Sequence, residues 1–536
     1  MHPWITRAFM AFAAISAGTL HAAVPCEGLK GFTMKNVTVT MAQPVAAGEF
    51  TPPVTPRGAG PTTPPPDPTA ADSDAPAPAR GGAGAGRGGP PPVSYKDVSA
   101  FCRVAATLRP VPDSEIKIEV WLPAAGWNGK LQAVGNGAWA GSISYSALAT
   151  ALRAGYAGVS TDTGHTGGNP ANFIPGHPEK VIDFAYRSVH EMTVTAKAVI
   201  RAHYGSAPKF SYFNGCSTGG RQAITAVQRY PRDFDGVIAG ASAMNVSRLQ
   251  GNQAWTGQIT HLDEAGYIPP AKYPALHAAA LNACDTLDGV QDGIIENPRV
   301  CKFDPSVMLC TGENDASCLT SPQVAVAKKI YKGVTNSVTG ESIFPGLEPG
   351  SEMGWASLSG PRPMALAVEV YRYLVHQDAS WDISRFNADT DIPLAQKTIG
   401  PMMDATDPNI KPFTDRGGKL LMYHGWADPG ISPRNSVNYY ESVVEKLGAK
   451  KASNSIRLFM VPGMGHCSGG DGTDRFDAVA AIDAWVDKGK APDSIPASHQ
   501  ARGGTVDKTR PLCPYPQTAQ YKGSGSTNDA SNFICK

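Results

Sequence analysis

The sequence predicts an α/β protein with a parallel sheet and one large insertion. Short apolar runs alternate with helical periodicities over residues 116–244, the alternation lapses over residues 245–412, and it resumes from residue 413. Two independent domains account for the lapse less well, because the sheet pattern returns only after it.

The elements follow in order. "IKIEVWLP" alternates apolar and charged residues, as a half-buried strand does. "KLQAVGNGAWAG" is an apolar strand entering a glycine-rich loop, and "GYAGVSTDTGH" is another short strand. "SVHEMTVTAKAVIRAHYG" has helical spacing and stops at Gly205. "KFSYFNG" is a strand, "GGRQAITAVQRYP" a helix ended by Pro231, and "FDGVIAGASAM" a buried strand. Past the insertion come the strand "GGKLLMYHGWAD", the helix "SPRNSVNYYESVVEKLG", the strand "SIRLFMVPG" and the helix "RFDAVAAIDAWVDKG".

Composition limits the function. The 536 residues carry a net charge of +1 and 17% charged residues, which argues against nucleic acid or an anionic membrane as partner. Arg7 followed by an apolar run (8–20) and small residues at Ala22 and Ala23 reads as a cleaved signal over residues 1–23. No later segment is long and apolar enough to span a bilayer, so the expectation is a soluble secreted or periplasmic protein. Ten cysteines in an exported chain imply disulfides, and with no CxxC a zinc site is not expected. Residues 51–92 are Pro/Gly-rich, with almost no large apolar side chain, and are expected to be disordered.

The chemistry centres on "FNGCSTGGRQA". Gly215-Cys216-Ser217-Thr218-Gly219 fits G-x-S-x-G and lies between a strand and a helix, as a nucleophile elbow must. A helix N-cap is the bland reading of the same serine. Serine needs a base, and in this fold class the order is Ser, acid, His. Asp428 follows the strand in "LLMYHGWADPGISP", and His466 follows the next strand in "RLFMVPGMGHCSGG". His424 competes but sits at the strand end before the Asp428 loop; Asp471 and Asp474 follow the histidine. Cys216 precedes Ser217 and Cys467 follows His466. A serine and histidine in contact would therefore bring these cysteines within bonding range.

Together "GCSTGGRQ", "HGWADPGISP" and "PGMGHCSGG" resemble the tannase and feruloyl esterase family of α/β hydrolases over nearly the whole mature chain. The resemblance implies an α/β-hydrolase fold with an inserted lid: an N-terminal segment (24–115), a catalytic domain (116–244 and 413–536) and a lid (245–412). It implies the triad Ser217, Asp428 and His466, with Cys216 bonded to Cys467. It also implies a structural calcium ion in the lid, held by Asp285, Asp288 and Asp292 and by the carbonyls of Val290 and Ile294. "CDTLDGVQDGIIENP" offers those carboxylates in a turn-rich run, a donor set suited to a hard cation, although a solvated Asx-turn loop would look similar. Cys284 and Cys301 bracket that loop and are expected to pair. Cys310 is then matched with Cys318, Cys513 with Cys535, and Cys26 with Cys102.

The oxyanion hole is expected from the N–H of Thr218 and one from "VGNGAWAG", assigned to Gly137. The expected substrate is a small aromatic ester, feruloyl or galloyl, for a monomer or homodimer. The family also holds hydrolases of mono(2-hydroxyethyl) terephthalate, which carry an acidic residue after the serine, where Thr218 stands here. A silent binding protein with a hydrolase fold is the remaining alternative.

Overall fold

The computed structural model describes residues 23–53, 94–501 and 503–536. Most of the expected signal (1–22) and most of the Pro/Gly-rich segment (54–93) lie outside the described residues.

The C-terminal chain builds a three-stranded antiparallel sheet (Arg475–Phe476, Ile495–Gln500, Val506–Leu512) and a two-stranded antiparallel hairpin (Ala519–Tyr521, Phe533–Cys535), and the ten strands before them form one sheet. In chain order they are β1 (Thr33–Met34), β2 (Val37–Val45), β3 (Phe101–Leu108), β4 (Ile116–Pro123), β5 (Lys130–Val134), β6 (Ala157–Thr161), β7 (Phe210–Cys216), β8 (Gly236–Gly240), β9 (Lys419–Gly425) and β10 (Ile456–Val461). Their spatial order is β1-β2-β3-β4-β6-β5-β7-β8-β9-β10. The six from β6 to β10 are parallel, and β1 to β4 form an antiparallel wing joined through β4 and β6. The parallel part is covered on both faces, so successive residues enter different cores. Phe213 and Ala239 pack with Ile224 and Val437, while Tyr212 and Ile238 pack with Ile482 and Trp485.

The sheet reaches further toward the N-terminus than the 116–244 pattern suggests. All of β3 pairs with β4, from Phe101 opposite Pro123 to Leu108 opposite Ile116. The chain between β2 and β3 leaves on a closed stem: Gly48 N–H donates to the Val98 carbonyl at 2.9 Å, and Phe50 packs edge-on against Tyr95.

After β8 the chain leaves the sheet and returns at β9. The intervening residues build helices such as Val246–His261, Tyr273–Cys284, Ser321–Lys332 and Ala388–Thr398 and add no strand to the ten. They bury two apolar clusters, one around Tyr371, Trp381 and Ile392 and one around Leu276, Leu347 and Trp355. Five disulfides take up the ten cysteines: Cys26–Cys102, Cys216–Cys467, Cys284–Cys301, Cys310–Cys318 and Cys513–Cys535. Each pairing matches its sequence expectation. Among the described residues no helix is long and apolar enough to cross a membrane.

Candidate active site

β7 runs straight into Ser217, and the helix Thr218–Arg229 starts at the next residue. So abrupt a turn puts Ser217 at φ 64°, ψ −121°, a conformation that L-residues adopt only under constraint. The flanking glycines permit the crossing. A Cβ on Gly215 would lie 2.6 Å from the carbonyl carbon of Gly219, and one on Gly220 would lie 2.3 Å from the Gly240 oxygen. The turn is pinned to β8, since Ser217 N–H donates to the Gly240 carbonyl at 3.0 Å.

The loop after β5 faces the elbow. Asn136 exchanges hydrogen bonds with Gln222, and the Thr218 hydroxyl donates to the Ala138 carbonyl at 2.8 Å. Ala138 and Ala140 take positive φ, 46° and 61°. Ala138 and Trp139 line the cavity next to Ser217, and Gly137 lies one residue before them.

Asp428 lies three residues beyond β9 and is fully buried. One carboxylate oxygen accepts the backbone N–H groups of Gly430 (2.8 Å) and Ile431 (3.0 Å). The other faces His466 Nδ1 at 2.6 Å and His424 Nε2 at 3.0 Å. Burial alone would raise this carboxyl, but the His466 charge and the bonds from both histidines hold it well below the usual carboxylate range. Asp428 is therefore an anion and Nδ1 of His466 carries a proton, which leaves Nε2 as the basic nitrogen. Burial pushes the His466 imidazolium down, and Asp428 more than reverses this, leaving its pKa above the ordinary value.

Sequence reasoning set His424 aside as a competitor. In the structure it is wholly buried, with Nδ1 2.8 Å from the Ser436 hydroxyl and Nε2 on Asp428. Its place at the end of a buried strand, four residues before the acid, was the available signal. Asp474 is turned onto the Gly469 amide, and Asp471 onto an insertion histidine, His277.

Cys216–Cys467 joins the elbow to the loop of His466, with Cα atoms 6.1 Å apart. Ser217, Thr218, Ala138, Trp139 and His466 all line one cavity with about 160 Å³ of open space. Phe184, Leu249, Val370 and Met403 are among the apolar side chains of the remaining wall, with Gln250 and Gln253 as polar members. Arg221 also borders it, buried, with its guanidinium on the carbonyls of Phe184 and Ala185.

The acidic loop lies elsewhere in the insertion. Asp285 accepts from the amides of Asp292 (3.2 Å) and Gly293 (3.0 Å), Asp288 accepts from the Val290 amide (2.9 Å), and Asp292 pairs with Arg510. Burial chiefly raises the Asp288 carboxyl, with further upward pushes from Asp292 and Asp285; Glu296 is pushed up to about 7 by burial foremost. Among the described residues no three His, Cys, Asp or Glu side chains form a metal-binding cluster. The donor types nevertheless fit calcium: they are all oxygen, and they crowd negative charge that a hard cation would neutralise.

The chain is similar to known proteins over most of its length. The family described as "Tannase and feruloyl esterase" matches residues 102–536. An uncharacterized esterase of Xanthomonas campestris pv. campestris is 39% identical over 485 residues, covering 81% of this chain and 84% of its own. A probable feruloyl esterase B-1 of Aspergillus flavus is 35% identical, covering 81% and 86%. Among solved structures, feruloyl esterase B from Aspergillus oryzae superposes with a TM-score of 0.83 at 30% identity, covering 95% of this chain and 99% of that one. The tannin acyl hydrolase of Aspergillus niger shares the fold, with a TM-score of 0.75 at 21% identity.

Proposed function

The chain belongs to the tannase and feruloyl esterase family, and from that premise we propose that it hydrolyses aromatic-acid esters through an acyl-enzyme on Ser217. The activity is that of a carboxylic-ester hydrolase on aromatic esters. The observation that carries the residue assignment is the meeting at one cavity of a strained elbow serine and a histidine hydrogen-bonded to a buried carboxylate.

His466 Nε2 takes the Ser217 proton as Oγ attacks the ester carbonyl, and Asp428 stabilises the imidazolium that forms. The same proton passes to the leaving alcohol. Water then repeats the sequence on the acyl-enzyme and releases the aromatic acid. The oxyanion is received by the N–H of Thr218 and by one from the Gly137–Ala138 turn. Trp139, Phe184 and Leu249 line the apolar wall against which a hydroxycinnamoyl or galloyl ring would lie. Thr218 following the nucleophile favours these acyl groups over a terephthalate monoester.

Ser217→Ala tests the assignment with methyl ferulate and methyl gallate. The expected loss is at least about a thousandfold in kcat; wild-type hydrolysis by that variant would reject the triad.

A calcium ion would be held by Asp285, Asp288 and Asp292 with the Val290 and Ile294 carbonyls. It would neutralise the loop's carboxylates and brace it against the C-terminal hairpin, where Val290 packs on Cys513 and Phe533. EDTA dialysis is then expected to lower the melting temperature by several degrees, and calcium alone to restore it; an unchanged melting curve speaks against the ion. Export through a cleaved signal is supported by five disulfides, which persist in oxidising compartments.

A further inference from the structure

The loops that carry Asp428 and His466 touch one short stretch of the insertion, residues 348–357. Glu348, 1% exposed, pairs with Arg434 at the start of the helix Arg434–Leu447, just past the acid loop. Gly354 lies so close to the acid loop that a Cβ there would sit 2.4 Å from Pro429 Cγ. Glu352, fully buried, accepts hydrogen bonds from the Tyr331 hydroxyl (2.7 Å), the Gly350 amide and His277 Nδ1 (2.8 Å). The other nitrogen of His277 reaches Asp471 in the base loop at 3.3 Å. Trp355 and Leu347 anchor this stretch in the cluster around Leu276.

The base loop needs such support. Between β10 and Asp474 it holds glycines at 463, 465, 469, 470 and 472, three of them with positive φ. Glycines leave the backbone many alternatives to the one conformation that aims His466. The disulfide holds the loop at Cys467 and the insertion holds it at Asp471, so the two tethers lie close beyond the base.

We propose that the insertion is a positioning element for the triad, joining the acid and base loops through Glu348–Arg434, Gly354–Pro429 and the Glu352–His277–Asp471 bridge. This rests on the serine-triad reading above. Burial opposes charge on His277, but its bonds to Asp471 and Glu352 push its pKa up to about 9, so at neutral pH it is a cation between two carboxylates. Losing the exposed Asp471 side chain removes this tether from the base loop while the buried His277–Glu352 pair stays intact.

The test is Asp471→Ala, with Asp471→Glu as the conservative partner and His277→Gln as a second break in the bridge. We expect D471A to lower kcat on methyl ferulate about tenfold with KM within about twofold, the mark of misaimed chemistry rather than weakened binding. D471E should recover most of the loss, and H277Q should reproduce the kcat defect in whatever fraction folds. Wild-type kcat in D471A, or a loss confined to the melting temperature, overturns the proposal. S217A separates the two readings: an active S217A rejects the triad itself, whereas an inactive S217A beside an unimpaired D471A rejects only the role of the insertion.

Discussion

The acid loop and the base loop hold equivalent places, at the carboxyl ends of the adjacent parallel strands β9 and β10, and both touch the insertion, yet the Asp428 carboxylate and the His466 ring are secured differently. Asp428 is held from within its own neighbourhood: two amides two and three residues on, and His424 four residues back. His466 sits in a run of glycines whose backbone is closed on itself, as by Gly465–Gly469 and Asp471–Gly463, and its side chain relies on distant chain: its carboxylate partner, a bond from Cys467 to the elbow, and an ion bridge from Asp471 to the insertion. The difference fits the proposed roles. A buried anion must be saturated with short-range donors, because each missing one leaves uncompensated charge. A base that accepts and returns a proton must stay reachable, and the His466 side chain keeps 34% exposure. It is then aimed from outside.

The sharpest way to break the comparison is Asp428→Asn. We expect kcat/KM to fall about 10³- to 10⁴-fold, because the amide no longer holds Nδ1–H or stabilises the imidazolium. The pH profile gives the sign. With His466 as the neutral base of the proposed triad, activity should fall as pH drops through its pKa, which Asp428 holds above the ordinary histidine value. In D428N the residual activity should persist to lower pH; an acid limb left in place would mean that Asp428 does not tune His466.

Cutting the covalent tether comes next. Cys216→Ala with Cys467→Ala should cost about 2–5 kcal/mol of stability, measured by denaturant unfolding. It should also cost about a hundredfold in kcat at a temperature where the variant is folded. If stability falls and kcat holds, the bond is a staple alone and the base loop is aimed by other contacts.

The smallest effect is expected on the acid side. His424→Gln removes one of four donors to Asp428, and about tenfold in kcat is the expected loss, the worth of one charge-assisted hydrogen bond. A loss as large as that of D428N would show the acid loop to be no more self-sufficient than the base loop.

What the sequence disclosed follows the same division. Strands β4 to β10, the elbow and the Cys216–Cys467 bond could be read because each is written in adjacent residues: an alternation, a glycine frame, a cysteine beside Ser217 and another beside His466. The loop after β5 was legible as a glycine-rich loop, but the positive φ of Ala138 was not, since a reader assigns such an angle to glycine. β2 and β3 escaped because the segment between them hides that they are neighbours. The Glu352–His277–Asp471 bridge could not be read at all. Its members belong to separate stretches of chain, and each taken alone is an ordinary charged residue.

The stem between β2 and β3 has a practical consequence. Residues 46–53 and 94–100 are closed upon each other by Gly48–Val98 and Phe50–Tyr95, so strand register does not depend on the 40 residues from 54 to 93. Loop-closure entropy grows only with the logarithm of length, so an insert of another length at this position costs about 0.6 kcal/mol per doubling. The site is thus a port for splicing: a reporter, a tag or a carbohydrate-binding module could be grafted there, on the wing of the sheet farthest from β9 and β10.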